Sequence, residues 1–214
     1  RISEELSLRA AVGRAYRIPT FTDLYYVDAA NIGNPGLKPE SSWTYETGAD
    51  YSRGPFKAGL TYFYRDSYDT IDWIRYSSTA PWRALNIGGT STNGVEISAA
   101  FDKLFLNYTC LDVYSKHDYM SKYTLDYLKQ QISAGTSFEF LGFKSSWVLN
   151  WKKRVGGQSV VIADMKIKKG IFDKKKVKLD AFFEISNLFN TPYSEAQSVE
   201  MPGRWIKSGV KVEF

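Results

Sequence analysis

Hydrophobic and polar positions alternate with a period of two residues over most of this chain. From Leu128 to Phe140 the even positions are mostly apolar, whereas every odd position is polar or glycine. The same alternation runs through residues 43–51, 56–65 and 177–186. Successive side chains of a β-strand point to opposite faces, so the pattern predicts strands with one apolar and one polar face.

Ten segments with this alternation follow one another along the chain. Most are long enough to cross a bilayer as tilted strands, which takes about 9–11 residues, whereas strands of soluble proteins average about 5–6 residues. The predicted strands are Glu4–Arg17, Ser41–Arg53, Pro55–Ile71, Ser91–Asp102, Leu104–Tyr114, Asp126–Phe140, Phe143–Lys153, Ser159–Lys168, Lys176–Ser186 and Arg204–Phe214.

The connections between these strands alternate in length. Short turns are predicted at Gly54, at Lys103 and at residues 141–142 and 169–175. Long loops are predicted at residues 18–40, 72–90, 115–125 and 187–203, and the shorter 154–158 belongs to the same set. Outer-membrane β-barrels have short periplasmic turns and long external loops. The fold class predicted is therefore all-β, an antiparallel transmembrane β-barrel segment whose last strand ends at the periplasmic side with Phe214.

The composition is compatible with such a barrel. Hydrophobic residues make up 43% of the chain and aromatic residues 16%, while the mean hydropathy is only −0.34. By composition alone a soluble protein would be the default. A barrel reconciles these values because it shows apolar side chains to lipid and encloses polar ones. No run of 18 apolar residues predicts a transmembrane helix, and no signal peptide is recognisable.

The net charge of +5 is modest, and its densest part is a lysine cluster between Lys166 and Lys178. A basic run can indicate nucleic-acid binding. The strand pattern instead places this cluster around a turn near Asp173, where it could contact membrane phosphates or simply be solvated. We therefore predict no nucleic-acid partner. The single cysteine, Cys110, allows no internal disulfide.

Three groups of motifs carry a resemblance to a known family. The first is residues 15–25 with 33–40 and 45–48, the second is 86–89 with 93–96, and the third is 185–193 with 202–204 and the terminal strand. In this order and spacing they resemble the C-terminal half of a TonB-dependent outer-membrane receptor. The resemblance, closest to its cobalamin and siderophore branches, spans nearly the whole chain.

Many residues of these motifs are expected to serve structure. Proline fixes φ and stops strand pairing, glycine permits tight turns, and carboxylates are tolerated on a polar face. We expect Gly94 to allow a bend or a close backbone approach at a strand start. The predicted structural residues are Pro19, Gly33, Asn34, Pro35, Leu37, Pro39, Glu40, Glu46, Gly94, Glu96, Asn187, Leu188, Phe189, Gly203, Arg204 and Phe214.

The resemblance implies a barrel of about 22 strands filled by a plug domain. Residues 1–214 would then be its C-terminal portion, with the plug and the segment that engages TonB outside this chain. It also implies contact with outer-membrane lipid and lipopolysaccharide, and with the barrel-assembly machinery through the last strand. Charges expected to face the lumen are Arg9, Lys57, Arg65, Glu96, Lys129, Glu139, Asp164 and Glu184; side chains expected to face lipid are Tyr62, Tyr64, Tyr114, Trp147 and Trp151.

The resemblance further implies TonB-driven import of an iron–siderophore complex or cobalamin across the outer membrane of a Gram-negative bacterium. Such a ligand would bind among the external loops. Aromatic faces and arginine forks suit bulky, often anionic complexes, although Tyr and Trp also form interfacial girdles. The candidate ligand-binding residues are Tyr25, Tyr26, Asp28, Trp73, Arg75, Tyr76, Trp82, Arg83, His117 and Tyr119.

Other functions remain open at this point. A complete ten-stranded barrel could be an omptin-like protease, but His117 with Asp118 is the only acid–histidine pair on offer and no nucleophile motif is present. A glycan receptor and a soluble β-rich binding module are further alternatives. One histidine is also a weak indication of a metal site. We predict no catalytic residue, no cofactor and no resident metal.

Overall fold

A computed structural model describes residues 2–115, 119–174, 177–196 and 199–214. These residues form β-strands and one five-residue helix, and they contain no helix long and apolar enough to span a membrane. The elements are β1 (Leu6–Arg17), α1 (Phe21–Tyr25), β2 (Asn31–Ile32), β3 (Glu40–Arg53), β4 (Phe56–Tyr68), β5 (Ile71–Arg75), β6 (Trp82–Asn86), β7 (Thr90–Phe101), β8 (Leu104–Ser115), β9 (Met120–Ser121), β10 (Leu128–Phe140), β11 (Phe143–Arg154), β12 (Ser159–Lys174), β13 (Val177–Ser186), β14 (Ser194–Ala196), β15 (Val199–Glu200) and β16 (Trp205–Glu213).

The ten long strands form a single antiparallel sheet in the order β1-β3-β4-β7-β8-β10-β11-β12-β13-β16. Each long strand therefore pairs with the long strands that precede and follow it in sequence. The ten predicted strands are confirmed, and most of their ends agree closely with those observed. β1 and β16 are the two edges of the sheet. We call the end that carries the short turns the turn end, and the opposite one the loop end.

The registers place apolar and polar side chains in separate rows on opposite faces. Two rows of opposed residues cross the same eight strands. On each strand the residue of one row is the sequence neighbour of the residue of the other, so the two rows point to opposite faces. The apolar row is Leu8, Ala49, Leu60, Ile97, Tyr108, Ile132, Trp151 and Val161. The neighbouring row is Arg9, Gly48, Thr61, Glu96, Thr109, Gln131, Lys152 and Val160.

The turn predicted at residues 169–175 was wrong. β12 continues to Lys174 and pairs with β13 as far as Val177. A bulge between Gly170 and Phe172 absorbs one extra residue, so that Phe172 lies opposite Leu179. Two apolar residues in this stretch extend the strand pattern, and the lysines around them obscured it in the sequence. β-Bulges of this kind are common at the rims of barrels.

The sequence pattern also placed Leu128 and Lys129 on the wrong faces. A bulge between Leu128 and Gln130 shifts the register there, so that Leu128 lies opposite Arg154 on the polar face. Lys129 does not lie on the polar face. Its Nζ lies 3.6 Å from the carboxylate of Asp112. Asp112 is two residues from Cys110 on β8, so both lie on the apolar face. One inserted residue reverses the alternation of faces on which the prediction rested.

Three phenyl rings lie over glycines on the polar face. Each pair is directly opposite across neighbouring strands: Phe63 with Gly94, Phe105 with Gly135, and Phe182 with Gly209. A Cβ added at Gly94 would come 2.1 Å from the ring of Phe63. Gly94 lies inside β7 rather than at its start, and the close approach there is made by a ring.

The loops contain more regular structure than the sequence indicated. β2, β6, β5 and β9 form a four-stranded sheet in that order at the loop end, and β14 pairs with β15 in the last long loop. A hydrophobic cluster at this sheet consists of the buried residues Leu37, Ile71, Trp73 and Ala84, with Leu24 and Trp82 packed against them. Strands this short leave no recognisable alternation in a sequence.

Candidate functional site

The loop-end sheet is fixed to the main sheet by Arg17, the last residue of β1. Its Nε and one terminal nitrogen donate to the carboxylate of Glu40 at 2.8 and 3.0 Å, and that nitrogen also donates to the carbonyl of Ile71 at 3.0 Å. Glu40 accepts in turn from the amide of Ile71 at 2.8 Å. A forked guanidinium–carboxylate pair fixes both partners in one geometry. The pair thereby sets where β3 and β5 begin.

The short helix α1 begins with a capping box. The hydroxyl of Thr20 accepts from the amide of Asp23 at 3.1 Å, and the Asp23 carboxylate accepts from the amide of Thr20 at 3.0 Å. The indole of Trp73 also donates to Asp23, at 3.0 Å. Burial alone would raise the pKa of Asp23, but these hydrogen bonds and the charge of Arg17 hold it below its usual value.

Trp73 therefore packs inside the loop-end sheet. Its side chain is 6% exposed and belongs to the buried cluster. This candidate ligand-binding residue therefore packs in the core of the loop-end sheet.

The second part of the loop motif is folded against α1 and β6. The amide of Asn34 donates to the α1 backbone at 2.8 Å, and a Cβ on Gly33 would lie 3.0 Å from that backbone. Leu37 joins the buried cluster. Asn86 accepts from the amide of Lys38 at 2.9 Å and donates to its carbonyl at 3.0 Å. The motif residues thus join two loops that are far apart in the sequence.

Asp72 is the most deeply buried acid of the loop-end sheet, with 1% of its surface exposed. Its carboxylate accepts from the hydroxyl of Ser121 and from the amides of Trp73, Tyr123 and Thr124, the amides at 2.7, 3.3 and 3.2 Å. It forms no ion pair within the described part of the chain. Burial raises the pKa of Asp72, and the hydrogen bonds oppose that rise only in part.

Lys122 is a residue of this site that the sequence analysis missed. Its amide donates to the carbonyl of Trp73 at 2.9 Å, and its Nζ donates to the side chain of Asn31 at 2.9 Å. The Nζ also lies 5.6–5.8 Å from the ring centroids of Trp73, Trp82 and Tyr123. These distances are at the outer limit of cation–π attraction. A lone lysine in a polar loop carries no sequence signal of such an environment.

A chain of hydrogen bonds connects Lys122 to the first loop. Asn31, which accepts from Lys122, donates to the carboxylate of Asp28 at 3.0 and 3.1 Å. The hydroxyl of Tyr26 donates to the same carboxylate at 2.8 Å. These donors, Tyr26 first, lower the pKa of Asp28, and the negative charge raises the pKa of Tyr26. Two candidate residues are thus brought together with two that were not predicted.

Arg75 and Trp82 form the other half of the site. The guanidinium carbon of Arg75 lies 4.3 Å from the Trp82 ring centroid, and a terminal nitrogen donates to the carbonyl of Ser78 at 2.8 Å. The Nε of Arg75 is buried and has no hydrogen-bond partner within the described residues. Lys122 is near the same indole, so two cations flank Trp82. The cluster of Tyr26, Asp28, Asn31, Arg75, Trp82 and Lys122 is called the loop-end cluster below.

The remaining candidates lie around this cluster. Tyr25 is exposed beside Phe21, with ring centroids 5.0 Å apart, and Tyr76 is 75% exposed. Arg83 is exposed next to Trp82 on β6. The hydroxyl of Tyr119 lies 2.9 Å from that of Ser115, and the side chain is half-buried. His117 lies outside the described residues.

The third motif closes the last long loop. Asn187 is 3% exposed; its side chain donates to the carbonyl of Thr191 and accepts from the Thr191 amide, each at 2.9 Å. The side chain of Asn190 accepts from the amide of Arg204 at 2.8 Å and lies over Gly203, where a Cβ would come within 2.6 Å of it. Both asparagines have positive φ, which this residue type tolerates better than most. Their roles are structural.

The other predicted structural residues take varied positions. Glu46 pairs with Arg9 at 3.4 Å on the polar face, and Glu96 lies in the same row as Arg9. The amide of Leu188 donates to β12 at 2.7 Å, while Phe189 is exposed. Pro19 directly precedes Thr20, the N-cap of α1. The side chains of Pro35, Pro39 and Phe214 carry no hydrogen-bonding group.

A cavity of about 560 Å³ lies between the last long loop and the polar face. Lys152 pairs with Glu195 at 2.6 Å and Arg154 pairs with Asp126 at 2.9 Å, so the cations that line it are already neutralised. Tyr193 lies beside Lys152. This cavity offers no uncompensated charge to a ligand, in contrast to the loop-end cluster.

Sequence comparisons place the chain among receptors of one family. The "TonB dependent receptor-like, beta-barrel" family model matches residues 1–177. The vitamin B12 transporter BtuB of Photobacterium profundum is 25% identical over 95% of this chain and 34% of its own length. The ferric enterobactin receptor of Pseudomonas aeruginosa is 33% identical over 33% of this chain and 12% of its own. The chain thus spans about a third of the first of these relatives.

Solved structures show the same fold. A ferric enterobactin receptor of Pseudomonas aeruginosa superposes with a TM-score of 0.68 at 18% identity, covering 100% of this chain and 38% of the receptor. The copper transporter OprC superposes with a TM-score of 0.72 at 16% identity, again over 100% of this chain and 38% of the transporter. At these identities the likeness concerns the fold, and the ten-stranded sheet corresponds to 38% of each of these two chains.

Proposed function

The chain belongs to the TonB-dependent receptor β-barrel family, and from this premise we propose that it forms part of an outer-membrane receptor that imports an iron–siderophore complex or cobalamin. The observation that carries the proposal is the loop-end cluster. Three loops that are separate in the sequence bring two cations, an indole and a phenol together at one end of the sheet. Such a surface suits a bulky ligand with aromatic or anionic groups.

Each ligand class has its own support. Of the six residues of the cluster, Arg75 and Lys122 carry positive charge and Asp28 is the one acid, so the cations exceed the acids. Anionic ferric siderophores would benefit most from that excess charge. Cobalamin is supported by the relatives that are named vitamin B12 transporters, among them the one that matches 95% of this chain.

The two faces of the sheet support placement in the outer membrane. The apolar row would contact the acyl chains of lipid and lipopolysaccharide, and the polar row would face a plug domain outside this chain. The TonB complex would act through that plug, and the barrel-assembly machinery would recognise the last strand. Transport rather than catalysis is supported by the relatives, which are named transporters and receptors.

The proposal is tested on the full-length receptor in outer-membrane vesicles. Radiolabelled cyanocobalamin and ferric enterobactin are supplied separately, and the dissociation constant of each is measured. We expect one of them to bind, and Lys122→Ala and Arg75→Ala each to weaken that binding at least tenfold. Lys57→Ala is the matched control, because Lys57 lies near the turn end of β4. Undiminished binding by both cluster variants would assign the ligand to another surface.

Energy coupling is tested in cells. Uptake of the bound ligand should stop when TonB is deleted, while binding persists. Uptake that continues without TonB would contradict the proposed mechanism.

A further inference from the structure

The four strands of the loop-end sheet come from three different loops. β2 lies between β1 and β3, β5 and β6 lie between β4 and β7, and β9 lies between β8 and β10. Backbone hydrogen bonds cross between these loops: the amide of Trp82 donates to Ala30 at 2.8 Å, and the amide of Lys122 donates to Trp73 at 2.9 Å. Loops usually follow separate paths over a surface and move independently. Here they share one hydrogen-bonded sheet.

We propose that the three loops form one rigid, preformed platform, and that Asp72 is the latch that holds its third loop and thereby positions Lys122. The part of this proposal that concerns the ligand rests on the proposed function. A ligand would meet a fixed wall on this side of the receptor, and no loop of the platform would close over it.

The latch is strong because it is buried and fully engaged. The Asp72 carboxylate receives four hydrogen bonds, three of them from residues 121–124 of the third loop. Releasing that loop would break three hydrogen bonds to the carboxylate together, and hydrogen bonds to a buried charged group contribute more than exposed ones. The hydroxyl of Ser121 also accepts from the amide of Leu125 at 2.8 Å, so the latch fixes the conformation of the loop as well as its place.

The first two loops are held by separate means. Leu37 of the first loop packs with Ile71, Trp73 and Ala84 of the second in one buried cluster. Asn86 is bonded to both the amide and the carbonyl of Lys38. A segment with buried apolar contacts and protected backbone hydrogen bonds opens rarely. Opening any one loop would expose groups that belong to the other two.

Lys122 depends on this arrangement for its position. It lies between Ser121 and Tyr123, both of which are bonded to Asp72. The latch therefore brings the Lys122 ammonium to Asn31 and to the Trp82 ring. Asp72 itself is a positioning residue, because its buried carboxylate acts on a ligand only through Lys122.

A reversible disulfide tests the rigidity directly. Ile74 and Ser121 lie opposite each other on β5 and β9, and opposed residues of antiparallel strands have Cα separations that a disulfide can span. The double variant Ile74→Cys, Ser121→Cys is built in the full-length receptor with Cys110 and any cysteine outside this chain replaced by serine, so that the introduced pair supplies the only thiols. The oxidised form is compared with the receptor that keeps Ile74 and Ser121, because in the reduced form the loss of the Ser121 hydroxyl removes one of the four hydrogen bonds of the latch.

We expect the oxidised double variant and the receptor that keeps Ile74 and Ser121 to bind and import cyanocobalamin or ferric enterobactin at rates within twofold of each other. A loop that must open and close would instead give an oxidised form at least tenfold slower in uptake, with recovery on adding dithiothreitol. That result would overturn the proposal. The single variant Ile74→Cys, which cannot form the bridge, should not respond to dithiothreitol.

Hydrogen exchange on the ligand-free receptor provides a second test, which stays informative if the disulfide variant fails to insert. Amides of residues 122–124 should exchange at least a hundredfold more slowly than unstructured peptide, and Asp72→Asn should speed that exchange at least tenfold. The matched control is Asp69→Asn, since Asp69 is exposed at the start of the same loop. Fast exchange in the unaltered receptor would refute the platform even if ligand import is established, and absence of binding in every form would refute only the proposed function.

Discussion

Asp23 of α1 and Asp72 of β5 are two buried carboxylates at the loop end, and their pKa values move in opposite directions. Asp23 has the Trp73 indole, the Thr20 cap and the nearby charge of Arg17, so its ionised form is favoured. Asp72 has only neutral donors and deeper burial, so its ionised form is disfavoured. A raised folded pKa adds stability that is present at low pH and lost as pH rises through that pKa. Acidification should therefore loosen α1 while leaving the Asp72 latch in place.

The first prediction concerns α1. A lowered folded pKa adds stability above the unfolded value of about 3.9, and this stability is lost as pH falls through the folded pKa. We expect the amides of residues 23–26 to lose protection between about pH 5 and about pH 3, relative to intrinsic exchange rates. Hydrogen exchange of the full-length receptor measures this. Asp23→Asn should be less protected at the higher pH and should lose the pH dependence; a pH dependence that survives would contradict the assignment.

At the scale of the strand, the paired phenylalanines and glycines of the polar face set how the sheet packs. A glycine lacks a Cβ, so the ring of the opposed phenylalanine can occupy the space above its backbone. The same arrangement occurs at Gly94, Gly135 and Gly209, on three pairs of strands. At each of these positions a side chain larger than glycine would compete with the ring for the same space.

The second prediction is that Gly94→Ala destabilises the barrel by roughly 1–3 kcal/mol, because the new methyl displaces the Phe63 ring. The matched control is Gly170→Ala, since a Cβ at Gly170 would meet its nearest neighbour at an ordinary 3.6 Å. Denaturant unfolding in detergent micelles measures both. The double variant Phe63→Ala, Gly94→Ala should cost less than the sum of its single changes. Equal stability of the two glycine variants would show that the ring yields freely.

At the scale of the whole molecule, the sheet has two unpaired edges, β1 and β16. Unpaired edges bind other strands, and a closed barrel removes them. The structural relatives contain this fold as 38% of their chains. We therefore propose that the barrel that closes this sheet is larger than these ten strands.

The third prediction follows from that size. The native protein that carries this sequence, extracted from outer membranes, should have an intact mass about three times the 24.4 kDa of this chain, because the chain spans 34% of its vitamin B12 transporter relative. Mass spectrometry of the intact protein decides this. A mass near 24.4 kDa would mean that ten strands close by themselves, and energy-coupled import would then be abandoned for a small barrel.

The sequence by itself determined the ten long strands, their two faces and their order. A strand has a side-chain period of two, and the apolar row of a barrel must face lipid, so the alternation carries this information locally. The prediction failed at the bulges near Leu128 and Gly170, where one extra residue inverts the period. It failed there because a bulge is decided by pairing with the neighbouring strand.

The tertiary structure alone decided the site. Lys122 and Asn31 are 91 residues apart and carry no local pattern, yet they share a hydrogen bond. Trp73, one of the candidate ligand-binding residues, is buried and donates its indole hydrogen to Asp23, and no pattern in the sequence indicated this position. Asp72 can hold the third loop because the fold brings the amides of Tyr123 and Thr124 to its carboxylate. Contacts between distant loops depend on how the barrel brings strand ends together, and alternation along one strand cannot specify them.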